Sequence, residues 1–215
     1  MKFSPYVTVL LAVIMSCNER LSSDEILSRS IAFHDPMNEW STGKFELFFN
    51  EYRANGLIRK ARASFDLPES EYHIYRQGQY TYQVKNDVVK IDSGDITLAR
   101  ALTIKDYYLY LWGLPMKLKD PGTQLGDWQA GVWEGVQSLE VPVFYEKDTW
   151  YFHFDVESFE LKGYKFYSDS AKTKGETILL SELAKVSEMR IPKERRWYTI
   201  PENNYLGKDV LISNR

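Results

Sequence analysis

From Lys44 onward the chain alternates. In "KFELFFN" Phe45, Leu47 and Phe49 fall on one side, with Lys44, Glu46 and Asn50 on the other. In "LIRKARASFD" Leu57, Ala61, Ala63 and Phe65 oppose Lys60, Arg62, Ser64 and Asp66. Side chains of an extended strand point to opposite faces in turn, so this period marks strands with one face buried and one in water. The segments "EYHIYR", "QYTYQVK" and "VVKI" continue the pattern. Gln77-Gly78 and Asn86-Asp87 separate them and suit tight hairpins. The first half therefore reads as a run of antiparallel strands.

Two stretches leave that period. Ser22-Ser23-Asp24-Glu25 is a capping box in which Ser22 accepts from the N3 amide and Glu25 reaches back. It opens a helix with Ile26, Leu27, Ile31 and Phe33 on its apolar side, ending before Asp35-Pro36 because a proline disfavours helical geometry in the residue before it. In "ITLARALTIKDYYLYLWGLP", residues 96–113, Ile104, Tyr107, Tyr108, Leu111 and Trp112 recur at helical spacing. Leu109 and Tyr110 extend the apolar surface around the helix, and Gly113 and Pro115 stop it. "KLKDPGTQLGDW" reads as a loop. Strands then resume in "GVQSLEVPVFYE", "WYFHFD", "LKGYKFYS", "GETILLSELAKV", "MRIPKERRWYTI" and "KDVLIS". Lys147-Asp148, Val156-Glu157-Ser158 and Ser187-Glu188 suit the turns between them. Strands, a central helix and more strands make an α+β class, a curved antiparallel sheet with helices against one face.

The N-terminus carries an address. Val7 to Met15 is almost purely aliphatic behind Lys2. That is too short to span ~30 Å of hydrocarbon, but it has the length of a secretory signal core. Ile14-Met15-Ser16-Cys17 resembles the lipobox of bacterial lipoproteins, in which the Cys is lipidated and becomes the new N-terminus. A plain secretory signal or a buried N-terminal helix are the alternatives. Cys17 is the one cysteine in the chain, so no intramolecular disulfide framework is available. The expected organisation is a signal peptide at 1–16, a lipidated Cys17 with a short tether to 23, and one domain over 24–215. Asn18, in place of the Asp linked to inner-membrane retention in enterobacteria, favours outer-membrane delivery. The formal charge of −3 would become −4 after loss of Lys2. Nucleic-acid binding domains are strongly basic, so that class is not expected.

Chemical motifs are sparse. His34, His73 and His153 lie in separate elements without ligand spacing, so neither a metal nor another cofactor is expected. His73 and His153 alternate with aromatics as ordinary sheet residues do. His34-Asp35 could pair as imidazole and carboxylate, or could simply be a helix-end histidine and a turn aspartate. No Gly-x-Ser-x-Gly elbow occurs, and Gly126, Gly131 and Gly135 form no phosphate loop. Arg59-Lys60-Ala61-Arg62 and Lys193-Glu194-Arg195-Arg196 read as solvated faces. Fifteen Tyr, eleven Phe and six Trp are the feature that exceeds background. Their apolar bodies with polar tips suit either a cavity wall or plain sheet-to-helix packing.

The segments "FHDPMNEW" (33–40), "YYLYLWGLPMKLKDPGT" (107–123), "WYFHFD" (150–155), "LKGYKFYSD" (161–169) and "NYLGKDVL" (204–211) together resemble a family of uncharacterised lipoproteins from Bacteroidetes-type bacteria. More distantly, the order of elements resembles the LolA-like fold of periplasmic lipoprotein carriers. There a bent antiparallel sheet forms a half-open barrel with helices as a lid over an apolar cavity. That resemblance implies a non-enzymatic protein binding an acyl chain or another hydrophobic ligand. Tyr107, Tyr108, Leu111 and Trp112 would form the lid face, and Phe45, Leu47 and Phe49 the floor. The lipobox departs from a soluble carrier and implies a tethered acceptor or sensor, membrane-bound through its anchor. The alternative is a structural or protein-interaction lipoprotein with a filled core. An envelope hydrolase using His34-Asp35 is a third reading.

Overall fold

The computed structural model describes residues 21–146 and 148–214; the signal segment and Cys17 lie outside them. Helix α1 (Ser23–His34) starts where the capping box places it, with Ser22 Oγ accepting from the Glu25 amide. Five strands follow: β1 (Lys44–Arg53), β2 (Ile58–Asp66), β3 (Glu71–Arg76), β4 (Tyr80–Lys85) and β5 (Val88–Gly94). The β4–β5 turn has Asn86 and Asp87 both at positive φ, the backbone a two-residue hairpin requires. Helix α2 (Leu98–Trp112) is capped by Thr97 and starts two residues, and ends one residue, inside the 96–113 span expected for it. The stretch expected to be a loop holds a 3₁₀ turn at Met116–Lys119 and the two-residue strand β6 (Gln124–Leu125). Then come β7 (Gln129–Trp133), β8 (Val136–Phe144), β9 (Thr149–Asp155), β10 (Leu161–Tyr167), β11 (Gly175–Val186), β12 (Met189–Ile200) and β13 (Tyr205–Asn214).

The thirteen strands of the described residues join one antiparallel sheet in the order β5-β4-β3-β2-β1-β13-β12-β11-β10-β9-β8-β6, with β7 also on β8. Strands consecutive in sequence pair with each other, except that β5 and β6 lie at opposite edges and that β6 and β7 both pair with β8; β13 also pairs with β1. The two edges do not meet, so the sheet is a half-barrel. Its bend is helped by register shifts at Phe48/Phe49, Thr81/Tyr82, Leu161/Gly163 and Trp197/Tyr198, since an extra residue in one strand sharpens local twist.

The buried faces of β1 to β4 pack against α2. Phe45, Leu47, Phe49, Ala61, Ala63, Phe65, Ile74 and Tyr82 meet Ala101, Ile104, Tyr108 and Trp112, and Tyr82 Oη donates to the Ala101 carbonyl at 2.9 Å. A second cluster sets Ile26 and Leu27 of α1 with Leu111, Leu114, Val141, Phe152 and Phe154. Ile31 touches both clusters and joins them.

Helix α1 is pinned at both ends. At its start Ser23 Oγ donates to the Gly126 carbonyl at 2.7 Å, and Trp128 Nε1 donates to the Leu21 carbonyl. At its end the buried His34 ring reaches two strands. Its Nε2 accepts from the Leu161 amide at 3.0 Å, so the proton sits on Nδ1, which donates to the Arg190 carbonyl at 2.5 Å. Asp35 points elsewhere: its carboxylate accepts from the Glu39 and Trp40 amides at 2.7 and 2.9 Å. The adjacent pair is thus two separate backbone caps.

Burial holds the His34 pKa down at about 4, and the Arg190 bond only partly offsets it. A histidine depressed in the fold takes up its proton first in the unfolded chain. Its contribution is therefore complete above about pH 6.5 and is lost as pH falls toward 4, some 3 kcal/mol in all. Urea denaturation across that window should show wild type losing about that much more stability than His34→Gln. Equal slopes in the two proteins would overturn this role.

Candidate functional site

The inner faces of β1 and β9–β13 leave a gap beneath α2. It is a cleft of about 410 Å³, within the size range of small-molecule sites. One side is apolar: Leu111 of α2, Trp150 of β9, Phe166 of β10, Ile178 of β11 and Trp197 of β12 line it. Trp150 is the hub of that wall, stacked on Phe166 at 4.7 Å and on Tyr164 at 5.5 Å between ring centroids. Tyr107 stands half-exposed at the mouth.

The other side is polar, and strand register builds it. Glu51 follows Phe45, Leu47 and Phe49 at the next inward position of β1. It lies opposite Asp209 of β13, and Asp209 lies opposite Arg195 of β12. All three are buried. A short ionisable row thus crosses the middle of the half-barrel.

Its members are satisfied unequally. Arg76 Nε donates to Glu51 Oε2 at 2.7 Å, and its Nη2 donates to Oε1; Tyr108 Oη donates to Oε1 at 2.7 Å. Arg59 and Arg53 stand at 3.4 and 3.8 Å. Burial alone would raise the Glu51 pKa, but the bonds and charge of Arg76, with Tyr108, outweigh it and hold the carboxyl below its usual range. Arg195 was expected on a solvated face. Instead its guanidinium lies 3.9 Å from the Trp112 ring centroid and donates to the Pro192 and Leu111 carbonyls at 3.0 and 2.9 Å. Two carbonyls and an aromatic face can replace water around a weakly hydrated guanidinium. Arg59 is likewise drawn inward by Glu51.

Asp209 has no such support: no described residue donates a hydrogen bond to its carboxylate. Burial, helped by the nearby negative charge of Glu51, pushes its pKa up to about 7. Tyr164, fully buried on the same cleft, has a hydroxyl with no partner. Desolvation also raises Glu176 on the cleft wall.

Of the residues expected to meet a ligand, Tyr107 and Leu111 line this cleft. The rest lie elsewhere. Phe45, Leu47, Phe49, Tyr108 and Trp112 are in the filled core beside it, because α2 turns Tyr108 and Trp112 toward β1, onto Phe49 at 5.2 and 5.0 Å between centroids. The floor drawn from β1 is thus packed, and Trp150, Tyr164, Phe166, Ile178, Trp197 and Asp209 form the actual wall. The sequence did carry one signal for the polar side, a carboxylate continuing an apolar period-2 face at Glu51.

A second polar constellation has the look of a triad. Ser138 Oγ lies 3.1 Å from His153 Nδ1, and His153 Nε2 lies 3.2 Å from Glu140 Oε2. It is sealed, however. A Cβ on Gly131 of β7 would come within 3.2 Å of Ser138 Oγ, and Trp133 stacks on the imidazole at 4.3 Å. A nucleophile needs room for substrate at its oxygen, and the backbone of β7 occupies that room. Glu140 is held low, at about 2, by its His153, Gln129 and Lys165 partners, which suits a structural clamp between strands. Among the described residues no group of three or more His, Cys, Asp or Glu could hold a metal, and no helix is long and apolar enough to cross a membrane.

The half-barrel fold is shared with solved structures of the LolA superfamily. The chain is similar in fold to a LolA superfamily protein from Nitrosomonas europaea, with a TM-score of 0.55, 9% identity, and 91% of this chain and 94% of that one covered. A putative outer membrane lipoprotein-sorting protein domain from Vibrio parahaemolyticus also gives 0.55 at 9% identity, covering 89% and 90%. A DUF1329 family protein from Desulfovibrio piger gives 0.50 at 8%, covering 89% and 92%. By sequence the chain belongs to DUF6503, a family of unknown function whose profile matches residues 4–214. No functionally curated protein matches it.

Proposed function

We propose that this protein is a non-enzymatic component of the bacterial cell envelope that holds a hydrophobic ligand, an acyl chain or lipid, in the cleft under α2. The observation that carries the reading is the aromatic and aliphatic wall of a 410 Å³ cavity in the interior of a half-barrel. Its apolar area gains by leaving water when a chain fills it. The fold neighbour described as a lipoprotein-sorting domain supports an envelope role. We further propose that Cys17 is lipidated and tethers the domain to the outer membrane, so that the protein receives or senses its ligand at a membrane.

Native mass spectrometry of the purified protein, paired with a solvent extract of the same sample, tests the ligand. A stoichiometric lipid or fatty acid is the expected result. A clean apo mass with no uptake of added lipid would overturn it and leave a tethered interaction module. Metabolic labelling with palmitate tests the anchor: wild type should carry label and Cys17→Ser should not. Label on both proteins or on neither would reject lipidation at Cys17.

A further inference from the structure

Resting on that reading, we propose that the polar side of the cleft selects a ligand whose head group is an ammonium, held by Asp209 and Tyr164. Two observations carry this independently. Asp209 is a buried carboxylate that receives no hydrogen bond from any described residue. The Tyr164 hydroxyl, fully buried on the same cleft, is likewise unpaired. Buried polar groups are nearly always paired, so two open ones facing one cavity mark where a partner is missing. Above about pH 7, where Asp209 is ionised, the missing partner is a donor, since a carboxylate only accepts.

The nearby arginines are engaged elsewhere: Arg76, Arg59 and Arg53 gather around Glu51, and Arg195 directs two of its donors to backbone carbonyls. Asp209 and Glu176 are left as open carboxylates on the cleft, and neither forms an ion pair with a described residue. Trp150 and Trp197 complete the apolar wall along which the chain of such a ligand would lie.

The pH dependence separates Asp209 from its neighbours. Tyr107 and Tyr108 of α2, Glu51 and Arg53 of β1, Arg76 of β3, Tyr164 of β10, Glu176 of β11, Arg195 of β12 and Asp148 before β9 surround it. The arginines remain charged near neutrality, burial keeps the Tyr108 and Tyr164 phenols protonated, and Glu51 stays ionised. Asp209 is pushed up to about 7, and Glu176 on the cleft wall is raised in the same direction, so the Asp209→Asn variant assigns the change to Asp209.

Calorimetric titration of the delipidated, purified protein with dodecylamine, dodecanol and dodecanoate, each below its aggregation concentration, tests the assignment. At about pH 8 the amine should bind at least about tenfold tighter than either competitor, the change expected of one charge-assisted hydrogen bond. That preference should shrink as pH is lowered to about 6, because Asp209 takes up a proton while the amine stays charged. Asp209→Asn, which keeps the shape, should bring the amine to the level of the alcohol. Tyr164→Phe gives a second, volume-conserving test and should weaken the amine more than the alcohol. Lauroyl lysophosphatidylethanolamine against the matching lysophosphatidylglycerol separates sources: preference for the former assigns the ammonium to a lipid head group, and no preference assigns it to a simple amine. Equal binding of the three dodecyl compounds, tighter binding of dodecanoate, or an amine preference that survives Asp209→Asn would overturn the selection while leaving hydrophobic binding in place. No binding of any of them would overturn both.

Discussion

Replacing Asp209 with Asn is expected to stabilise the ligand-free protein at pH 8 by about 4 kcal/mol. The figure follows from a carboxyl pushed up to about 7 by burial, against an ordinary value near 3.8. The sign follows from linkage. A group raised in the fold binds its proton more tightly there, so its contribution is complete below the unfolded value and is lost as pH rises through the folded one. At pH 8 the wild-type protein carries that loss in full, and the amide variant does not. Urea denaturation of both proteins at pH 8 and near pH 4 measures it, and the gap should close at the lower pH. A wild-type protein as stable as Asp209→Asn at pH 8 would show that Asp209 is satisfied in the fold. The slope is opposite to that of His34, so wild type should change less with pH between about 4 and 6.5 than either single variant. A residue that weakens the empty protein yet occupies a site the packing could fill with an apolar side chain fits the trade between stability and function common at binding sites.

Glu51→Ala should do the reverse, destabilising by about 3–5 kcal/mol, the usual cost of breaking a buried ion pair from one side. Truncation leaves Arg76 and Arg59 facing one another without the carboxylate, and leaves the Tyr108 hydroxyl without its acceptor. Glu51→Gln should fall between, because the amide oxygen still accepts from Tyr108 or Arg76 but the charge is gone. Chemical denaturation of the three proteins at pH 7 checks the order, and a Glu51→Ala cost below about 1 kcal/mol would mean the arginines find water. Because Glu51 also pushes Asp209 upward, its loss should lower the pH at which Asp209 ionises. The two carboxylates stand opposite each other on paired strands, so their effects should not be additive.

Much of the fold was legible because strand alternation is a local signal. Phe45, Leu47 and Phe49 could be placed on one buried face from their spacing alone, and Ser22 announced the start of α1. The pairing of β13 with β1 could not be read, since pairing across about 160 residues leaves no local trace. The cleft was legible only in part for the same reason. Tyr107 and Leu111 lie on one side of α2 and Tyr108 and Trp112 on another, and periodicity shows that such sides exist without saying which meets a gap. Arg195 sits in the basic run Lys193–Arg196, which reads as a wet face; the indole beneath it comes from α2, more than 80 residues away. Asp209 looks like any strand aspartate until its neighbours are known.

The pinning of α1 bears on how the domain withstands a pull. If the chain is moored at Cys17, four residues before Leu21, the leash spans at most about 14 Å. Any tension along it enters the fold at Leu21 and Ser23, whose bonds run to Trp128 and Gly126 beside the short strand β6 at the rim of the sheet. It next reaches the far end of the helix, where His34 grips β10 and β12 through two backbone groups. The Asp209 carboxylate on β13 and the indole of Trp150 lie off that load path. A tug from the membrane would therefore fray the rim before it deformed the ligand's seat.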